Sequence, residues 1–246
     1  MRMLDLFSGI GGISLAAHWA GMETVAFCEI EPFCQTVLKK HWPDIPIYDD
    51  VKSLTKERLD ADGIGTIDII CGGYPCQPFS QAGKRQGAND DRHLWPEVKR
   101  LLQEIRPRWF IGENVIGHVT LGLDEVLDDL ESLGYSAQPF DIPACAVGAD
   151  HERRRIFIPA YANGERLQGG QITRSSSKGR TWTKKQLPRL HAANPWPEIP
   201  ASEFSRKDYG ISRRLDEARL KALGNAVVPQ QIYPILKAIK LIDEGA

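Results

Sequence analysis

The chain has 246 residues, 42% of them hydrophobic and 26% charged, which suits a globular protein with one sizeable core and room for a small lobe. No apolar run approaches the length of a membrane span, and the five cysteines (Cys28, Cys34, Cys71, Cys76, Cys145) form neither a disulfide framework nor a paired zinc pattern. Net charge is −1, yet residues 151–221 hold 16 Lys/Arg against 7 Asp/Glu, leaving 31 − 16 = 15 against 32 − 7 = 25 elsewhere. That basic segment suits a polyanion, or alternatively a solvated loop. The N-terminal MRMLDLF enters a strand-like segment without an apolar leader, so a cytoplasmic protein in a reducing compartment is expected.

In chain order, strands are predicted at Met3–Phe7, Thr24–Cys28, Ile67–Cys71 and Arg108–Ile111, with a further strand ending near Asp49. Helical periodicity falls between them, at Ile13–Ala20, Pro32–His41, Leu94–Ile105 and Leu123–Leu133. Strands separated by helices at this spacing imply parallel βαβ crossovers. Tyr135–Ile142 and Arg155–Ala160 read as an antiparallel hairpin at the sheet edge. Residues 161–216 then turn Gly-, Ser-, Arg- and Pro-rich with little periodicity, an irregular lobe. From Glu217 the pattern is helical again, interrupted by GNAVVPQ and closed by an amphipathic helix over Gln230–Asp243.

Two segments invite chemistry. Asp5-Leu6-Phe7-Ser8-Gly9-Ile10-Gly11-Gly12 links the first strand to a helix, where glycines permit close backbone approach and free N–H groups face a ligand. Glu29 ends the next strand, where a carboxylate can accept from a ribose diol. Asp49-Asp50-Val51 is either a border for a base or a plain Asp-rich turn. The second segment, Gly72-Gly73-Tyr74-Pro75-Cys76-Gln77-Pro78-Phe79-Ser80, leaves a buried strand and offers a thiol at the carboxyl edge of the sheet. Free cysteine is only a few per cent thiolate at neutral pH, so positive charge or helix-terminal N–H groups must assist Cys76. Cys71, inside the apolar run, reads as inert packing.

DLFSGIGG, CEIEPFCQ, GGYPCQPFSQAGKRQG, Glu113-Asn114-Val115, Arg153-Arg154-Arg155 and Gly224-Asn225-Ala226-Val227 follow in one order that resembles the motif series of the DNA (cytosine-5)-methyltransferase family. The likeness covers residues 1–160 and 217–243. It implies a Rossmann-like, doubly wound and mostly parallel α/β sheet, a catalytic and cofactor-binding domain of residues 1–160 plus 217–246, and a target-recognition lobe of residues 161–216. The C-terminal helix is expected beside the first strand.

The same resemblance implies the reaction, with S-adenosyl-L-methionine as cofactor and double-stranded DNA as partner in a bacterial or phage-infected cell. Cys76 adds to C6 of a flipped-out cytosine, and Glu113 protonates N3 with a carboxyl pKa raised by burial. Arg153 and Arg155 steady charge at the cytosine oxygen or hold Glu113 or a phosphate. Carried over for the cofactor are Phe7, Gly9, Gly11, Glu29, Ile30, Asp50, Pro75, Asn225 and Ala226, and for a mobile DNA-binding loop Gln81, Lys84 and Arg85. Ile30 stands where relatives often carry an aromatic residue, and His151 where they carry glutamine. His18, His41, His93, His118 and His191 show no ligand spacing, so no metal is expected. Trp182 and Trp196 stack on bases or form the lobe's own core. Two rival readings stand beside this one: the same chemistry on RNA, and a silent DNA-binding relative that needs a partner chain. A homo-oligomer is also open.

Overall fold

The computed structural model describes residues 1–75, 94–120, 122–163 and 213–245, with side chains from residue 218 in the last stretch. Among them β1 (Arg2–Leu6), β2 (Glu23–Cys28), β3 (Ile47–Tyr48), β4 (Ile69–Gly72) and β5 (Trp109–Val115) pair in parallel. The sheet runs β3-β2-β1-β4-β5 and continues into β8 (Arg155–Ala162), which is antiparallel to β5. Outside β8 lie β6 (Tyr135–Ala137) and β7 (Phe140–Ile142), both antiparallel to it. Their registers, Ala137 opposite Ala160 and Phe140 opposite Phe157, continue each other. Tyr135–Ile142 is therefore one edge strand interrupted at Gln138-Pro139, where proline supplies no N–H to the ladder.

Side-chain alternation divides the interior into two layers. On one face Leu4, Leu6, Ile70, Phe110, Ile156 and Ile158 pack beneath α4 (Trp95–Ile105) and α5 (Leu123–Ser132), through Val98, Leu101, Leu102, Val126 and Leu130. On the other Met3, Ile69, Cys71, Ile111 and Phe157 meet Ile13, Ala16 and Ala17 of α1 (Gly12–Trp19), and Ile232, Leu236 and Ile239 of the closing helix α7 (Pro229–Asp243). The closing helix, expected beside the first strand, shares this layer but packs chiefly on α1. Burial of Gln231 is offset by its Nε2, which donates to the carbonyls of Ile142 (2.6 Å) and Arg153 (3.0 Å).

The remaining helices frame the carboxyl ends of the strands. Proline occupies the first position of α2 (Pro32–His41), where its missing N–H costs nothing. Thr55 caps the short α3 (Lys56–Ala61) by accepting from the Arg58 N–H. Next comes α6 (Arg213–Asn225), ahead of α7. The order of connections reverses beside β1: the chain moves outward through β2 and β3, then returns to β4 and β5 on the other side. Open α/β sheets bind their ligands at such a reversal.

Candidate functional site

At that reversal a cavity of about 450 Å³ opens, reached by the ends of β1, β2, β4 and β5 and walled by α6. After β1 the chain turns tightly: Phe7 and Gly9 both take φ +54°, and the Gly11 N–H donates to the Ser8 carbonyl (2.9 Å). Ser8 Oγ donates to the Asp5 carbonyl at 2.6 Å, fixing the turn from below. Glu29 spans the turn from the side. One of its carboxylate oxygens accepts the Gly9 N–H (2.7 Å) and the other the Glu31 N–H (2.8 Å). Glu29 is buried, so these two N–H groups replace the water its charge would otherwise demand.

The opposite wall carries an acid. Glu113 on β5 is buried, with its Oε1 2.9 Å from Arg155 Nε on the neighbouring β8. Burial pushes its carboxyl up to about 7, and the nearby Arg155 and Arg153 pull the other way without cancelling the effect. Gly73 makes this packing possible: a Cβ there would stand 2.8 Å from Glu113 Oε2. The backbone entering the Pro75-Cys76 segment therefore passes directly beside the acid. Asn114, next along β5, donates from Nδ2 to the Tyr74 carbonyl (3.0 Å) and ties the same backbone to the sheet.

The C-terminal segment closes the third side. Asn225 lines the cavity, together with Ala218, Lys221 and Ala222 of α6. These positions recur at three to four residues, one face of a helix. Lys221 Nζ reaches Glu31 Oε2 at 2.8 Å across the rim. Behind it, Arg153 donates to the carbonyls of Gly224 (2.7 Å) and Ala226 (2.6 Å), holding the Gly-Asn-Ala turn in place. The expectation of a guanidinium beside the acid is met by Arg155, whereas Arg153 hydrogen-bonds this turn. Gly12 completes the junction, since a Cβ there would lie 2.4 Å from the Val227 carbonyl oxygen.

Of the residues singled out from sequence, the structure gathers Phe7, Gly9, Glu29, Ile30, Asp50, Pro75, Glu113, Arg155 and Asn225 around this one cavity. Ile30 is 73% exposed, an uncovered apolar side chain at its edge. Gly11 and Ala226 instead border a neighbouring cavity, on the far side of the glycine turn. At Gly11 the requirement is steric: φ is +85° and a Cβ would meet the Trp42 ring at 2.6 Å. Cys76, Gln81, Lys84 and Arg85 lie outside the described residues, as do His93, Trp182, His191, Trp196 and most of residues 161–216. Cys71 is fully buried with its thiol pushed well up, consistent with packing. Sequence reading missed Cys28 and Cys34 as cavity walls, and the Lys221–Glu31 rim pair. The spacing of Ala218, Lys221, Ala222 and Asn225 held that signal. No metal-binding cluster occurs among the described residues, and no helix there is long and apolar enough to cross a membrane.

Residues 1–215 match the family model described as C-5 cytosine-specific DNA methylase. The Type II methyltransferase M.AgeI of Thalassovita gelatinovora is 31% identical over 186 residues, covering 72% of this chain and 43% of its own length. M.AquIA of Picosynechococcus is also 31% identical, over 193 residues, covering 72% of this chain and 78% of its own. The chain thus spans less than half of M.AgeI but most of M.AquIA. Among solved structures, a chain assigned as a DNA modification methyltransferase encoded within an E. coli prophage aligns at 28% identity and TM-score 0.56, over 66% of this chain and 47% of its own. A DNMT2 variant from Spodoptera frugiperda aligns at 24% identity and TM-score 0.57, over 81% of this chain and 55% of its own, a likeness of fold.

Proposed function

Because this chain belongs to the C-5 cytosine-specific DNA methylase family, we propose that it transfers a methyl group from S-adenosylmethionine to C5 of cytosine in double-stranded DNA. The observation that carries the reading is Glu113, a buried acid titrating near pH 7 that packs on Gly73, three residues before Cys76. An acid still protonated near neutrality is what N3 of an attacked pyrimidine needs.

The chemistry assigns each group a task. C5 of cytosine is a weak nucleophile inside an aromatic ring. The Cys76 thiolate forms a bond to C6 and breaks the aromaticity. Glu113 delivers its proton to N3, so the electron pair collects at C5. Arg155 keeps the resulting Glu113 carboxylate paired at 2.9 Å. After C5 has taken the methyl group it gives up its own proton to solvent, the electron pair of the C5–H bond forms the C5–C6 double bond and expels the thiolate, and N3 returns its proton to Glu113, restoring ring and acid. C6 cannot be reached in a stacked duplex, so the base is flipped out first.

The 450 Å³ cavity suits a nucleoside cofactor in size. A Cβ at Gly9 would touch nothing within 4 Å, leaving the turn open for close approach by a ligand. Glu29 and Asp50 can accept from ribose hydroxyls, Ile30 and Phe7 supply apolar contact, and Pro75 and Asn225 bound the reacting end. The cofactor when bound supplies an electrophilic sulfonium methyl. Gln81, Lys84 and Arg85 are proposed to meet DNA phosphates, and residues 161–216 to form the target-recognition lobe.

Bisulfite sequencing of DNA from cells expressing the chain tests the reading. The wild-type chain should protect cytosines in one sequence context, and Cys76→Ser should protect none while melting as the wild type does. Protection by the Cys76→Ser chain would remove that thiol from the reaction.

A further inference from the structure

Tyr74 lies two residues before Cys76, and its side chain is buried among Trp95, Phe110 and Val119. A phenylalanine would fill such a setting. Instead the tyrosine hydroxyl stands 2.9 Å from Nε2 of His118, another buried side chain, in the 3-10 turn that follows β5. Burial drives the imidazole down to about 4, so it is neutral at physiological pH and the contact is a hydrogen bond rather than an ion pair. Placing two polar groups in an apolar cluster gains little stability over two hydrocarbons, but it fixes one geometry.

The same tyrosine is held at two other points. Its carbonyl accepts from Asn114 Nδ2 (3.0 Å), and its ring packs on Trp95 at 5.1 Å between centroids. Trp95 opens α4 directly beyond residues 76–93, and its indole N–H donates to Asp129 on α5 (2.8 Å). Tyr74 and Trp95, which stand on either side of residues 76–93 in the chain, thus pack in one cluster. In the chain Pro75 alone separates Tyr74 from Cys76, and the proline ring fixes φ at that link.

We propose that Tyr74 and His118 are a positioning pair for the reaction, their hydroxyl–imidazole contact fixing the backbone at Tyr74 from which the chain continues through Pro75 to the reacting Cys76. The inference rests on the proposed methyl transfer, and two independent readouts separate them. The first is the single-turnover rate on cytosine DNA for wild type, Tyr74→Phe, His118→Leu and His118→Gln, with cofactor affinity and melting temperature measured alongside. Tyr74→Phe and His118→Leu should each slow the chemical step on the order of tenfold or more, since misplacement by an ångström is that costly. Cofactor affinity should stay within about twofold, and His118→Gln, which keeps a hydrogen-bonding group, should recover part of the rate. The second readout needs no turnover. Limited iodoacetamide alkylation with peptide mapping gives the ratio of labelling at Cys76 to labelling at the exposed Cys145, which serves as an internal reference.

A shifted ratio in Tyr74→Phe and His118→Leu supports positioning even if the wild type methylates no DNA, an outcome that would defeat the proposed function alone. An active wild type whose variants keep both rate and ratio overturns the pair. Were Tyr74→Phe to melt early, the two His118 variants would decide by the same criteria.

Discussion

Two buried carboxyl groups hold protons well above the usual carboxylate range. Asp5 is fully buried on β1, accepts from Ser14 Oγ at 2.6 Å through one oxygen, and leaves the other without a hydrogen-bond partner. Burial pushes its carboxyl from 3.8 to about 7, and Glu113 is raised similarly from 4.5 to about 7. Between about pH 4 and 7 these two groups keep protons in the native state that the unfolded chain has released, so their contribution to stability falls as pH rises; His118, lowered by burial to about 4, works the other way between about pH 4 and 6.5. Asp5→Asn, neutral at every pH, should flatten this slope and equal or exceed wild-type stability at pH 8. Urea unfolding at pH 5 and pH 8 measures it, and parallel slopes for the two proteins would refute the assignment. Glu113 has the further task of donating a proton, so its loss of the proton near pH 7 should set a falling limb in the rate profile. Glu113→Gln keeps the shape without a proton to deliver, and its turnover should drop on the order of 10²–10⁴-fold.

The elements show how local chemistry carries over into assembly. The boundaries of α2 were legible residue for residue, because Pro32 fixes the start and a Lys-Lys-His run ends it. The four long parallel strands were legible as apolar runs. α3 was not, since its six residues bury only Leu59 and show too little of a period. Tyr135–Ile142 was legible as one strand antiparallel to Arg155–Ala160, whereas the place of β8 between β5 and that edge was not. Antiparallel insertion depends on pairing between strands some 46 residues apart, Trp109 with Tyr161 at one end. At the site, motif residues were legible because their types are chemical requirements. Arg153 was legible as a residue but not in its contact, because the carbonyls it holds lie more than 70 residues downstream. Gly12 marks the same junction. Gly12→Ala would place a methyl group against the Val227 carbonyl, which belongs to the backbone and cannot rotate away. We expect a loss of about 1–3 kcal/mol in a urea melt, together with weaker cofactor binding as Asn225 shifts. Unchanged stability and affinity would show that the C-terminal segment docks loosely.

At the scale of the whole molecule, charge is separated along the chain, with an excess of 16 − 7 = 9 positive charges over residues 151–221. If that excess meets phosphates, DNA affinity should fall with salt at a log–log slope steeper than about −4. A slope near zero would remove the basic segment from DNA binding. The sheet then provides the counterpart: the acid, the glycine turn and the C-terminal turn converge at one reversal of strand order, beside the backbone that leads to the thiol. The most direct measurement of that convergence is covalent trapping. Duplex DNA carrying 5-fluorocytosine at the target position, incubated with the full chain and S-adenosylmethionine, cannot lose fluorine from C5 and so retains the sulfur–C6 bond. The account predicts one stable adduct, mapped by mass spectrometry to the peptide containing Cys76 and absent in Cys76→Ser. An adduct on Cys28, Cys34, Cys71 or Cys145, or none from a chain that methylates ordinary DNA, would contradict it.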